Sequence, residues 1–180
     1  METTDQDQAR ERTMITFSTP PYKFTYRIGG IAIHNGRILC QKSTVYPQDI
    51  YWFLPGGRAE LGESAEETLY REMQEELGEH VQVGRLLYII ENFFTNSAQH
   101  HELSLYFEIT FPTDSYLYRD DLTSIQRPEE DDLPLIFDWL PIADLPQTQR
   151  IRPCFFNTAL HTRPTSTRHI VIDNGKMREQ

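Results

Sequence analysis

No apolar run in the sequence approaches the roughly 18 residues that cross a bilayer as a helix. The N-terminus, METTDQDQAR, also lacks the charged, apolar and small-residue order of an export signal. Both absences argue against a membrane span and against signal-directed export, so a cytoplasmic location is expected. Cysteine is scarce. Cys40 and Cys154 are the only two, too few for a disulfide framework, and both lie in apolar segments that suit buried free thiols. Basic charge is short as well: 17 lysines and arginines face 27 aspartates and glutamates, for a net charge of −10. That balance excludes a broad basic patch for a nucleic-acid backbone or an anionic membrane surface, so neither is expected as a partner. An anionic small-molecule ligand would then need a bound metal ion to offset the charge. No internal repeat is visible, and 180 residues with 38% hydrophobic content suit one compact domain.

What the chain concentrates is glutamate. The stretch Gly57 to Gly78, GRAELGESAEETLYREMQEELG, holds seven of them. Ser64 followed by Glu67 is a capping box, which starts a helix at Ser64, and Gly78 supplies a left-handed stop after Leu77. Ala65, Leu69, Met73 and Leu77 recur every fourth position and form its apolar stripe. Relative to Glu72, Glu75 lies at about −60° and Glu76 at about +40°, so the three carboxylates share an arc of roughly 100°.

A glutamate-rich helix face is ordinarily just solvated. Here Glu63 and Glu67, Glu72 and Glu76, and Glu75 and Glu79 are like charges four residues apart, and only Arg71 offsets them from within the helix. Two carboxylates about 5 Å apart repel by about 3 kcal/mol at an effective dielectric constant of about 20, so a sheltered cluster calls for a cation or for protonation. All-oxygen ligands, with no cysteine or histidine in the helix, point to magnesium or manganese rather than zinc.

Gly57, Glu63 and Arg71-Glu72-Met73-Gln74-Glu75-Glu76-Leu77-Gly78 together resemble the signature of the Nudix hydrolases, G-x5-E-x7-R-E-U-x-E-E-x-G-U with U aliphatic. Every fixed residue is matched. The final U is Glu79, a departure that bears on packing at the helix end rather than on the ligands. The resemblance implies an α/β/α sandwich around a mixed β-sheet and Mg²⁺-dependent hydrolysis (Mn²⁺ as substitute) of a nucleoside diphosphate linked to another moiety. Carried over, Glu72, Glu75 and Glu76 are metal ligands with Glu63 as an auxiliary one, and Arg71 orients the cluster by pairing with a glutamate. Glu75 and Arg71 are counted with the catalytic candidates, and Gly57 shapes the loop together with its neighbours Gly56 and Arg58.

Along the rest of the chain, residues 1–19 read as a flexible arm and 20–180 as the domain. Phe24 to His34 and Arg37 to Lys42 form a hairpin about Asn35-Gly36, and Gly29-Gly30 marks a bulge or a close approach. Tyr51 to Leu54 is a short strand. Val81 to Phe94 and His101 to Phe111 are longer strands joined by a loop at 95–99. In the second, Leu103, Leu105, Phe107 and Ile109 alternate with Glu102, Ser104, Tyr106 and Glu108, one face core and the other polar. If the polar face lines a cleft, Glu102 is a further metal ligand or general base; otherwise it is an exposed strand glutamate. His100 and His101 point to opposite faces and make a poor zinc pair. The acidic loop 113–134, with Glu129-Glu130-Asp131-Asp132, is either a solvated charge run or the source of a catalytic base. Arg152 to His161 reads as a second helix covering the other sheet face, and Arg168 to Ile172 as an added edge strand or a homodimer contact. Two other functions remain open: a Nudix-fold module that senses a nucleotide without cleaving it, and an acidic protein-interaction domain.

Overall fold

The computed structural model describes residues 12–43, 50–119, 122, 124–127, 134–148 and 151–178. The acidic run 129–132 and residues 1–11 of the expected arm lie outside the described residues. In chain order the first strands are β1 (Thr16–Thr19), β2 (Tyr22–Ile31), β3 (Ile33–His34), β4 (Arg37–Lys42), β5 (Trp52–Phe53) and β6 (Gly56–Arg58). Helix α1 (Ala65–Leu77) follows, then β7 (Gln82–Thr95), β8 (Gln99–Thr110), β9 (Ile125–Arg127) and β10 (Leu135–Pro141). The chain continues through α2 (Leu145–Thr148), β11 (Ile151–Arg152), α3 (Phe156–Ala159), β12 (Arg168–Asp173) and β13 (Lys176–Met177).

These strands make two mixed sheets. One is seven-stranded, in the order β1-β2-β8-β7-β12-β13 with β6 also paired to β2; the other is six-stranded, in the order β11-β5-β4-β10-β9 with β3 also paired to β4. The mixed α/β class is as expected. The strand read as 24–34 divides at Ala32, so that β2 serves one sheet and β3 the other, and Asn35-Gly36, both at positive φ, closes the β3–β4 turn. Through Gly29-Gly30 the β2–β8 register is unbroken, so the pair marks a close approach rather than a bulge: the Tyr106 ring occupies the space beside Gly29. The two longer strands extend further than expected, with Thr95 opposite Gln99, leaving a loop of only Asn96-Ser97-Ala98.

Two core clusters form. Leu69, Met73 and Leu77 of α1 pack with Ile28, Leu39, Ile109 and Phe137, while Phe155, Phe156 and Leu160 pack with Tyr88, Ile90, Tyr106 and Ile172. The second cluster corrects two expectations. Arg152 to His161 is not a continuous helix: Phe156, Asn157 and Thr158 donate to carbonyls three residues back, and only α3 is α-helical. Pro153 lacks an N–H and restricts the residue before it, so apolar residues at helical spacing pack around tight turns instead. Those turns cover the sheet face that reads as polar, leaving Ser104 and Tyr106 buried. The arm is likewise structured from Arg12 on, with β1 paired antiparallel to β2.

Candidate active site

Helix α1 begins and ends where its sequence dictates. The Glu67 N–H donates to Ser64 Oγ at 3.2 Å and the Ser64 N–H to Glu67 Oε2 at 2.7 Å, the two halves of the capping box. Gly78 closes the helix at φ 70°, with the Gly78 N–H bonded to Gln74 O and the Glu79 N–H to Met73 O. Glu79 stands where the signature has an apolar residue. The helix end is nevertheless packed, through Leu77, Val81 and the Tyr116 hydroxyl, which donates to Leu77 O at 2.8 Å.

Arg71 gathers the carboxylates. Its Nε donates to Glu63 Oε1 at 2.8 Å and its Nη2 to Glu63 Oε2 at 3.0 Å, a two-point grip on one carboxylate. Nη1 reaches Glu72 Oε1 at 2.7 Å and Glu75 Oε2 at 3.3 Å, and Nη2 also donates to the Arg58 carbonyl at 3.1 Å. Glu63 is fixed further by Thr68 Oγ1 at 3.0 Å and by the Glu60 N–H at 3.2 Å. The Arg71 guanidinium, ahead of these smaller contacts, holds the Glu63 carboxyl down to about 2. Arg71 itself is raised, chiefly by its bonds to Glu63. Gly57 leaves the room this needs: a Cβ there would collide with the Glu72 carboxylate. Gly56, at φ 129°, lies against the Ile28 carbonyl, where no side chain fits.

Strand β6 is a partition. Gly57 faces α1, whereas Arg58 pairs across the ladder with Arg27 and so lies on the opposite face. That face opens into a cleft of 560 Å³. Its lining includes Arg27, Tyr51, Phe53, Asn92, Phe94, Glu102, Arg152, Cys154 and Asn174. Arg27 donates to Leu54 O at 3.1 Å and lies 5.5 Å from the Phe53 ring centroid. Glu102 lines this cleft, and its Oε1 accepts from Ser104 Oγ at 3.0 Å.

A family model described as the NUDIX domain matches residues 23–157. The chain belongs to the Nudix family. Members of this family are hydrolases acting on phosphorus-containing anhydrides. Among solved structures, a MutT protein from Bacillus halodurans superposes with a TM-score of 0.53 at 15% identity, over 86% of this chain and 95% of that one. The E. coli ORF135 protein superposes with a TM-score of 0.50 at 19% identity, over 83% of this chain and all of the other. At such identities the likeness concerns the fold alone. No curated protein sequence matches.

The Nudix residues named from the sequence fall into two places. Glu63, Glu72, Glu75, Arg71, Gly57 and the Arg58 backbone come together where the middle of α1 packs against β6 and the loop before the helix, and Glu76 is half-buried one turn beyond Glu72. Glu102 is elsewhere, on the cleft wall. Two participants were not read from the sequence. Glu60 is one of the seven glutamates but occupies an unspecified position of the signature, and Arg12 lies outside the matched region. Among the described residues, no three histidine, cysteine, aspartate or glutamate side chains already stand in a metal-holding arrangement; the carboxylates are drawn onto Arg71 instead. Their chemistry still fits a hard divalent cation. The donors are all carboxylate oxygens, and Glu60, 8% exposed, keeps Oε1 buried without a hydrogen bond. His100 and His101 do lie on opposite faces, one stacked on Phe94 and the other on Phe93.

Proposed function

We propose that this Nudix protein hydrolyses the pyrophosphate bond of a nucleoside diphosphate linked to another moiety, such as a nucleotide sugar, ADP-ribose or a nucleoside triphosphate, with Mg²⁺ or Mn²⁺ as cofactor. The observation that carries the reading is the convergence of Glu63, Glu72 and Glu75 on Arg71 against Gly57, one strand away from a cleft large enough for a nucleotide. Glu72, Glu75 and Glu76 would hold the ion, with Glu63 behind them. Bound there, a divalent ion supplies charge neutralisation at the diphosphate and acidifies water for attack at phosphorus.

The chain's own groups do the rest. Arg71 anchors the Glu63 carboxylate at two points and gathers Glu72 and Glu75 beside it, and those two would turn from Arg71 to the ion. In the cleft, Tyr51, Phe53 and Phe94 are aromatic side chains for a base, Asn92 and Asn174 would supply amides for its edge, and Arg27 and Arg152 would supply positive charge for anionic groups. Glu102, oriented by Ser104, is the carboxylate on that wall able to accept a proton. A panel of nucleotide sugars, ADP-ribose, dinucleoside polyphosphates and nucleoside triphosphates, incubated with Mg²⁺ and analysed for both products, tests the reading. Release of a nucleoside monophosphate or of phosphate from at least one compound supports it; tight binding with no turnover of any compound replaces it with a nucleotide-sensing module.

A further inference from the structure

The segment ahead of β1 is stitched to the loop that leaves β6. Leu61 N–H donates to Thr13 O and Ile15 N–H to Ala59 O, each at 2.8 Å, and Met14 bridges Glu60 between them. Thr13 to Ile15 therefore run as a short added strand along this loop, and Arg12 is delivered to α1. Arg12 Nη2 stands 2.6 Å from Glu75 Oε1, and its Nε 3.8 Å from the buried Glu60 Oε1. Arg71 Nε faces the same Glu60 oxygen at 3.6 Å.

The two arginines are held unequally. The Arg71 side chain is 15% exposed and is bonded to three carboxylates and a carbonyl. The Arg12 side chain is 60% exposed, and its close ion pair among the described residues is with Glu75. An exposed ion pair is weak and screened by salt, so it exchanges readily for a stronger cation. Glu75 belongs to the set that takes the divalent ion in the reading above. We propose that Arg12 is the resident counter-ion of this site: its guanidinium neutralises Glu75 and Glu60 while no divalent ion is bound and leaves Glu75 when one enters. The inference rests on the proposed metal site. It also gives the N-terminal segment a role, since the backbone pairing of residues 13–15 with 59–61 is what aims Arg12 at the cluster.

The test is Mn²⁺ binding, followed by electron paramagnetic resonance at low ionic strength in the full chain without substrate. Arg12→Gln should bind Mn²⁺ about threefold more tightly than the unsubstituted protein, the scale of one exposed ion pair lost from the competing state. Arg12→Lys should stay close to the unsubstituted protein, and added salt should narrow the difference. In a Mg²⁺ titration followed by NMR, the Arg12 Nε–H resonance should shift on saturation. Equal or weaker Mn²⁺ binding by Arg12→Gln, or an Arg12 resonance unmoved at Mg²⁺ saturation, overturns the inference while leaving the metal site intact. Failure of both proteins to bind Mn²⁺ removes the metal-site reading and this inference with it.

Discussion

The two faces of β6 are built on opposite plans. On the α1 face, four glutamates and Arg71 come from one continuous stretch, and the fit is electrostatic: a guanidinium hydrogen-bonds Glu63, Glu72 and Glu75 and faces Glu60 at 3.6 Å. On the cleft face, Arg27, Phe53, Asn92, Glu102, Arg152 and Asn174 come from β2, β5, β7, β8, β11 and the β12–β13 turn. There aromatic rings and amides stand beside two arginines and a glutamate. The difference teaches that the proposed machinery for diphosphate chemistry is local in the chain, whereas the surface that would choose the nucleotide is assembled only by the fold. The two faces should therefore respond differently to substitution.

The largest effect is expected on the α1 face. Glu76→Gln removes one ligand charge at constant size and should lower turnover by about 10²–10³-fold, the range for loss of a transition-state electrostatic contact. Gly57→Ala should approach the same loss without touching any charge, because the new Cβ displaces the Glu72 carboxylate. Turnover of either variant within twofold of the unsubstituted protein would break the comparison at its catalytic side.

Arg71→Ala tests stability on the same face. It strips the counter-ion from Glu63 and Glu72 and leaves buried Glu60 facing other carboxylates. The expected cost is about 2 kcal/mol, less than breaking a fully buried pair, read as a fall in Tm of about 6 °C in metal-free buffer. Mg²⁺ should restore part of it by mass action.

On the cleft face, Phe53→Ala should raise KM about tenfold and change kcat little, since stacking of one base on a ring is worth about 1–3 kcal/mol. Equal losses in kcat and kcat/KM would place Phe53 in the chemistry instead. The smallest effect concerns pH. Arg71 depresses the Glu63 carboxyl to about 2, so its contribution to stability is present above the ordinary carboxylate range and is lost as pH falls toward 2. Metal-free acid unfolding of Glu63→Gln should show a shallower loss of stability between about pH 4.5 and 2 than the unsubstituted protein.

How much the sequence disclosed follows the same division. The capping box and the Gly78 stop depend on spacing within one helix and its loop, and spacing is what a sequence displays; the same spacing groups Glu72, Glu75 and Glu76, whereas Arg71 draws together Glu63, Glu72 and Glu75 across loop and helix. Glu60 escaped because a position free to vary in the signature carries no rule, and Arg12 because its pairing partner lies across a long interval of chain. The alternation in β8 was read correctly, but its polar face became a wall of the second core when residues 153–160 folded over it. In the sequence that covering turn is indistinguishable from a helix, because Phe155, Phe156 and Leu160 satisfy a helical period equally well while packing on Tyr88 and Tyr106.

The central claim is that hydrolysis takes place at the α1 carboxylates with a divalent ion. It is tested most directly by following product release from the best compound of the nucleotide panel, for the unsubstituted protein and Glu76→Gln, with Mg²⁺ and with excess chelator. The account predicts product only from the unsubstituted protein with Mg²⁺, and a rate at least about a hundredfold lower for Glu76→Gln. Equal turnover in excess chelator, or near-full activity of Glu76→Gln, would contradict it.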